Sequence, residues 1–196
     1  VLTADHAVVI SLNGLPLQAS DLSEDPGYLD NYTDLEAFYA RQQIFYSALQ
    51  RSAQTQQSLQ LRVLDAAQMP QQIDLQVATH RPWSSLPASF WVQCLVAFGS
   101  MLIGGWVWAL RPNDWSTRLF ALSSLSVVVF AASAACYSSR ELALPARDWR
   151  WLLTLNQLGS VAFGFAMIAF FFFFPRRLLT ARYLWGFAAA YPIYAV

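Results

Sequence analysis

The sequence contains no lysine and carries little charge of either sign. Only 12% of its 196 residues are charged, whereas 56% are hydrophobic. A soluble domain usually has about 25% charged residues, so this chain has too few to cover one large apolar core. Twelve basic residues, all arginine, balance twelve acidic ones. This balance excludes a basic nucleic-acid-binding protein, and we expect no nucleic acid among its partners.

Cysteine and histidine are also scarce, with two residues of each type. Two cysteines exclude a disulfide-rich scaffold, and we expect Cys94 and Cys136 to be free thiols packed like small hydrophobic residues. His6 and His80 lack neighbouring ligands at metal-site spacing, so we expect no metal. No Ser-His-Asp arrangement is visible, and the apolar half offers no Lys or His to activate a serine. We therefore expect no catalytic residues and no cofactor within these 196 residues.

Long uncharged segments dominate the second half of the chain. Residues 90–110, 119–139 and 151–174 contain no charged side chain. As helices they would be about 30–36 Å long, enough to cross a hydrocarbon core of about 30 Å. Tryptophans cluster near their ends, as in an aromatic belt at the membrane interface. The sequence therefore predicts three complete transmembrane helices.

A fourth apolar segment, residues 184–196, is too short to cross a bilayer and predicts the start of another transmembrane helix. The chain also begins with valine and shows no signal peptide in its first 30 residues. We therefore expect it to be the middle of a larger membrane protein.

Residues 1–82 have a different composition and predict a small α+β domain, joined by a juncture at 83–89 to the first membrane helix. Strands are indicated at 7–12, 58–64 and 73–77, the last two by clean alternation of apolar and polar residues. Alternation predicts that Ile73, Leu75 and Val77 face the core. An Asn-Gly turn follows the first strand.

A helix is predicted between the first strand and the other two. Thr33 and Glu36 have the spacing of a capping box, and the helix would run to about Ser52 with Phe38 and Phe45 on its buried stripe. An acidic segment, residues 20–34, precedes it. That segment lacks calcium-loop spacing and is predicted to be a solvated loop.

This order of elements resembles the C-terminal two-thirds of a bacterial PDZ-type domain. The segment 9–16 (VISLNGLP) is similar to the strand that ends in an NG-x-P turn in that family, and the helix and strand pair follow in the same order. The carboxylate-binding loop of the family would precede Val1. The resemblance implies a partial PDZ-like domain that binds a peptide or protein ligand.

A PDZ-like domain before several membrane helices resembles the sensor histidine kinases of the competence type found in bacteria. The segment 105–112 (GWVWALRP), the following RLFAL at 118–122 and the Phe-Pro pair at 174–175 are similar to that family's membrane region. The resemblance implies a homodimeric receptor that passes a signal to a cytoplasmic kinase module. It also implies residence in the bacterial inner membrane with residues 1–82 extracytoplasmic.

Charge counts alone leave the orientation nearly undecided. With residues 1–82 outside, the inner loops 111–118 and 175–183 hold five arginines, against four on the outer side. The positive-inside rule counts such cations, so the family resemblance is the main argument for an extracytoplasmic domain.

Polar and small residues within the membrane helices are the candidate site residues. Asn156 and Gln157 form a polar pair in the third helix, and interhelical hydrogen bonding is favoured over a ligand site at that depth. Small residues spaced four apart predict close helix packing in the first helix (Ser100, Gly104) and in the third (Ser160, Gly164).

Two functional alternatives remain beside the sensor. A membrane-anchored assembly or chaperone factor would bind partner proteins through its PDZ-like domain. A transporter subunit is disfavoured because no membrane helix carries a charge.

Overall fold

The chain folds into two compact units in a computed structural model. One unit comprises Val1–Leu86 together with Ser139–Trp149, and the other comprises Pro87–Ser138 and Arg150–Val196. The structure describes residues 8–22, 31–64, 69–78, 81–139, 144–175, 178, 180 and 183–195. We call the unit of Val1–Leu86 and Ser139–Trp149 the extramembrane unit, and the other one the helical unit. His6 and His80 lie outside the described residues.

The extramembrane unit contains a four-stranded antiparallel sheet in the order β2-β1-β3-β4. Its strands are β1 (Val8–Leu12), β2 (Leu15–Pro16), β3 (Leu59–Leu64) and β4 (Pro70–Leu75). The β1–β2 connection is a two-residue turn with φ of 46° at Asn13 and 78° at Gly14. Positive φ at both positions suits an Asn-Gly pair. The Asn-Gly turn and the β3–β4 hairpin expected from the sequence are both present.

Helix α1 (Tyr32–Thr55) covers one face of this sheet. The core cluster consists of Leu12, Phe45 and Leu59, with Leu49 packed against it. The helix begins earlier than predicted, because its N-cap is Asn31, whose side chain accepts a hydrogen bond from the Thr33 amide at 3.0 Å. The capping role predicted for Thr33 is therefore wrong.

The predicted face of β4 is correct, because Ile73 and Leu75 pair with Leu61 and Leu59 on the core side of the sheet and Val77 packs against the core cluster, but the predicted bounds and burial are wrong. The strand spans Pro70–Leu75 rather than 73–77, and every residue in it is exposed. Ile73 and Leu75 remain about 40% exposed. The strand lies at the edge of the sheet, so its apolar side chains stay largely exposed although they point to the core side.

The helical unit is built from α2 (Ala88–Leu110), α3 (Trp115–Ser138), α4 (Ala146–Phe173) and α5 (Leu184–Ala195). Among the described residues, α2, α3 and α4 are long and apolar enough to cross a membrane. Cys94 and Cys136 do not form a disulfide bond with each other.

Helix α4 starts five residues before the predicted 151–174. The charged residues Arg147, Asp148 and Arg150 are helical, although the sequence prediction started the helix after the last of these charged residues. A helix continues beyond the apolar segment when its extension packs elsewhere, and the first turn of α4 belongs to the extramembrane unit. The chain is thus mostly helical, with one small antiparallel sheet and three helices of membrane-spanning length.

Candidate functional site

The extramembrane unit includes the first turn of a membrane-length helix. Trp149 of α4 is completely buried, and its ring meets that of Phe38 in α1 edge to face, with 5.4 Å between centroids. Edge-to-face aromatic pairs add about 0.5–1.5 kcal/mol beyond burial. The aromatic belt suggested by the sequence placed Trp149 near a membrane interface, whereas the structure buries it in a protein core.

Two polar contacts hold the connection between α3 and α4 in the same unit. The amide of Ala146, at the start of α4, donates to Oε1 of Gln43 at 3.0 Å. This contact satisfies one of the amide groups that a helix N-terminus leaves without an intrahelical partner. Arg81 donates to the carbonyl oxygen of Ser139, and its other nitrogens bond to Ser85. Both ends of the 139–149 connection are therefore fastened to residues 1–86.

An ion pair between a buried carboxylate and a partly exposed arginine fixes the segment before α1. Asp21 is fully buried and receives two hydrogen bonds from Arg41, at 2.6 Å from Nε and 2.5 Å from Nη2. The hydrogen bonds to Asp21 raise the pKa of Arg41, aided by charge attraction and opposed by partial burial. Gln42, also buried, donates to the carbonyl oxygen of Asp21 at 3.0 Å. The sequence prediction of a solvated loop is wrong for Asp21.

The structure separates the roles of the polar pair in α4. Asn156 donates from Nδ2 to the carbonyl oxygen of Phe130 in α3 at 3.0 Å, whereas Gln157 is exposed. The Asn156 contact is an interhelical hydrogen bond of the kind expected within a membrane. A ligand-binding role for these two residues stays a prediction.

One of the two small residues predicted to pack closely in α2 does so against a neighbouring helix. Gly104 is buried, and a Cβ atom at this position would overlap Cβ and Oγ of Ser124 in α3. Ser100 is partly buried. Hydrophobicity gives helices no preference for each other over lipid tails, so such close approach contributes directly to their association.

In α4 the close approach involves Gly159, which the sequence analysis did not single out. A Cβ atom there would lie 2.8 Å from the backbone nitrogen of Phe130. Ser160 is exposed, and a Cβ atom at Gly164 would meet open space in the described part of the chain. A packing role for Ser160 and Gly164 stays a prediction. Spacing of four identifies a small-residue stripe but not which neighbouring glycine faces the partner helix.

Four of the buried serines in α3 each donate a hydroxyl hydrogen bond to a carbonyl three or four residues earlier, at 2.7–3.0 Å. They are Ser123, Ser124, Ser126 and Ser133. Such bonds satisfy a hydroxyl within its own helix. The buried serines therefore act as small packing residues, which accounts for the close approach at Gly104.

Within the described ranges, no group of three His, Cys, Asp or Glu side chains is placed to hold a metal ion. Comparisons with protein-family models, curated proteins and solved structures gave no match to this chain.

Proposed function

We propose that this chain is the sensory and membrane portion of a bacterial signal-transduction receptor, with a histidine kinase as its output. The observation that carries the proposal is the burial of Trp149 against Phe38. A helix that begins in the core of an extramembrane unit and continues at membrane-spanning length is a direct mechanical connection between a ligand-binding domain and the far side of a bilayer.

The contents of the extramembrane unit support this arrangement. Residues 1–86 and 139–149 belong to one compact unit, and α2 and α3 lie between them in the chain. If α2 and α3 each cross the membrane, residues 139–149 return to the side of residues 1–86, which is consistent with both segments belonging to one compact unit.

The finer parts of the proposal come from the family resemblance. The receptor forms a homodimer, resides in the inner membrane with residues 1–82 extracytoplasmic, and detects a peptide or protein ligand through a PDZ-like domain. Ligand binding would shift the contact between α1 and the start of α4, and α4 would carry that shift across the membrane.

Phosphorylation of the native polypeptide, isolated in its own membranes, tests the proposal. Incubation with γ-labelled ATP should transfer the phosphoryl group to a histidine nitrogen with release of ADP, giving an acid-labile, alkali-stable product. Trp149→Ala should change the basal labelling at least threefold. The control Trp151→Ala removes a tryptophan two residues away that is 63% exposed, and it should leave labelling unchanged.

Absence of phosphohistidine on the native polypeptide would overturn the kinase assignment. Equal effects of the two tryptophan variants would instead overturn the role of the Trp149 contact while leaving the kinase assignment intact.

One observation favours the second candidate, a membrane-anchored assembly factor. The outer edge of β4 pairs with no other strand among the described residues, and Ile73 and Leu75 are exposed on it. Such an edge can accept an extended peptide as an added strand. Two results together would favour this function. The native polypeptide would give no phosphohistidine, and a partner protein would crosslink to a photoreactive residue introduced in place of Gln72.

A further inference from the structure

The outer edge of strand β4 carries backbone groups that pair with no other strand in the described part of the chain. The amide of Asn13 donates to the carbonyl oxygen of Gln60, so Gln60 directs its backbone groups toward β1. Successive residues of a strand direct these groups to opposite sides, so the next residue of β3 bonds to β4, where Ile73 lies opposite it. Its neighbours Gln72 and Asp74 therefore present their amide and carbonyl groups at the open edge.

Little in β4 protects this edge from pairing with another strand. Edge strands are usually blocked by charged residues, by proline or by a covering element. The only charged residue of β4 is Asp74, and its only proline, Pro70, is the first residue of the strand. All six residues of the strand are exposed, and Ile73 and Leu75 are 40% and 43% exposed. The edge is therefore accessible to an extended strand.

The two faces of β4 set the chemistry that such a strand must have. Ile73 lies on the core side of the sheet, whereas Gln72 and Asp74 lie on the opposite side together with Arg62 of β3. Asp74 and Arg62 are diagonal neighbours, yet no ion pair joins them among the described residues. A matching strand should thus place an apolar side chain beside Ile73 and a hydrogen-bond donor beside Asp74.

Strand β4 of a second copy meets both requirements. In an antiparallel pair with Gln72 opposite Asp74 of the second copy, the outward backbone groups of these two residues exchange hydrogen bonds. Ile73 then lies opposite Ile73 of the second copy, and the side-chain amide of Gln72 faces the Asp74 carboxylate as a donor. The arrangement is two-fold symmetric, so the contact between Gln72 and Asp74 occurs twice.

The sequence of β4 disfavours the neighbouring registers in which the outward backbone groups also face each other. A shift in one direction places Asp74 opposite Asp74 of the second copy, and like charges directly opposite destabilise a strand pair. A shift in the other direction places Asp74 opposite Pro70, which has no amide hydrogen to donate. The register centred on Ile73 avoids both penalties.

We propose that β4 is a self-association surface, at which two copies of this chain pair antiparallel about Ile73 and join their four-stranded sheets. Such a contact is small, since stable interfaces usually bury about 1,200–2,000 Å². Confinement of both copies in one membrane supplies the effective concentration that it needs. The inference rests on the homodimer of the proposed receptor and names its contact surface. Its test needs no kinase activity, so it and the phosphorylation experiment can fail separately.

Cysteine cross-linking in native membranes tests the register. In a chain with both native cysteines replaced by serine, a single cysteine replaces either Ile73 or Leu75, and copper phenanthroline with dissolved oxygen oxidises neighbouring thiols to a disulfide. Opposite residues of a non-hydrogen-bonded pair have Cα atoms about 4.5 Å apart, within the range of a disulfide. We expect Ile73→Cys to give at least fivefold more covalent dimer than Leu75→Cys, which has a nearly equal exposure.

A mixed experiment checks the same register from a second position. Leu75 of one copy lies opposite Gln71 of the other, so coexpression of Leu75→Cys and Gln71→Cys chains should give the covalent dimer that neither forms alone. Equal dimer yields from Ile73→Cys and Leu75→Cys would indicate random collision and would overturn the proposal. No dimer at either position, or an adduct of Ile73→Cys with a different protein, would also overturn it.

Charge variants at position 72 separate pairing from folding. Gln72→Glu places a carboxylate opposite Asp74 of the second copy, and we expect the dimer yield of Ile73→Cys to fall at least threefold. Within one copy the new carboxylate faces Arg62, so the fold should not weaken. Gln72→Arg has the opposite charge relations and should maintain or raise the yield. An equal loss of yield in both variants would contradict the pairing of position 72 with Asp74.

Discussion

The ring of Trp149 meets the ring of Phe38 at an interplanar angle of 82°, with 5.4 Å between their centroids. This contact joins the first turn of α4 to the second turn of α1 inside the extramembrane unit. A helix of 28 residues therefore has one end fixed in a protein core, and the proposed signalling role depends on that fixation.

Removal of Trp149 should destabilise the extramembrane unit. Truncation of a fully buried tryptophan to alanine costs about 3–5 kcal/mol, and we expect Trp149→Ala to lower the opening free energy of α1 amides by that amount in hydrogen-exchange measurements. Phe38→Ala should have a similar effect. The double variant should lose less than the sum of the single losses, because the two rings contact each other. Strict additivity would contradict the contact.

The ion pair of the buried Asp21 with the partly exposed Arg41 leads to a second prediction about stability. Asp21→Asn removes the charge that Arg41 faces, and the loss of hydrogen bonds between charged groups costs about 1–3 kcal/mol. Thermal unfolding followed by circular dichroism should register the loss. The matched control is Asp74→Asn on the exposed strand β4, where we expect a change below about 0.5 kcal/mol.

The pH dependence of this pair follows from the raised pKa of Arg41. A group whose folded-state pKa exceeds its unfolded value stabilises the fold below the unfolded pKa, and the contribution disappears only as the pH rises through the folded value. For arginine both pKa values lie well above pH 10. The difference in unfolding temperature between the wild type and Asp21→Asn should thus stay constant from pH 7 to pH 10. A decline within that interval would contradict an arginine partner.

Two glycines of α4 should respond differently to substitution by alanine. Gly159→Ala places a methyl group 2.8 Å from a backbone nitrogen of α3, and overpacking of this kind costs about 1–3 kcal/mol. Gly164→Ala adds the methyl group where the described residues leave open space. Unfolding in detergent by sodium dodecyl sulfate titration should show destabilisation for the first variant only. Equal effects would mean that Gly159 does not mark the close approach of α3 and α4.

The polar pair of α4 offers a similar comparison. Asn156→Leu removes the hydrogen bond to Phe130, and interhelical hydrogen bonds in membranes contribute about 0.6–2 kcal/mol. Gln157→Leu alters an exposed side chain and should leave the stability unchanged. The same sodium dodecyl sulfate titration measures both. If Gln157→Leu instead abolished signalling with stability intact, the ligand-site hypothesis for this pair would gain support.

Cysteine labelling tests the proposed orientation. In a chain with both native cysteines replaced by serine, Gln50→Cys on α1 and Thr180→Cys after α4 introduce single exposed thiols. A membrane-impermeant maleimide added to intact cells should label Gln50→Cys alone, and Thr180→Cys should react only after lysis. The reverse pattern would invert the orientation, and labelling of both positions from outside would contradict three crossings.

Local sequence patterns predict several elements of this chain for identifiable physical reasons. Asn13 and Gly14 tolerate positive φ, so their turn follows from the dipeptide itself. The uncharged segments predict α2 and α3 closely, because burial of charge in lipid is costly wherever it occurs. The buried Phe38 and Phe45 follow from helical periodicity.

Other features depend on contacts between distant segments. Asp21 lies in an acidic stretch typical of a solvated loop, and only the approach of Arg41, twenty residues later, makes its burial favourable. Gly159 and Ser160 are neighbouring small residues, and only the packing of α3 shows that Gly159 is the one at the close contact. The alternating sequence of β4 predicts a half-buried strand, whereas the strand is exposed because it lies at the edge of the sheet.

The sequence by itself determined a small domain joined to helices of membrane-spanning length, because hydropathy and charge are properties of each residue alone. Only the tertiary structure decided that Trp149 belongs to that domain. A tryptophan beside charged residues at the end of an apolar segment has the pattern of an interfacial anchor. Its burial depends on a ring 111 positions earlier, Phe38, which no local pattern connects to it.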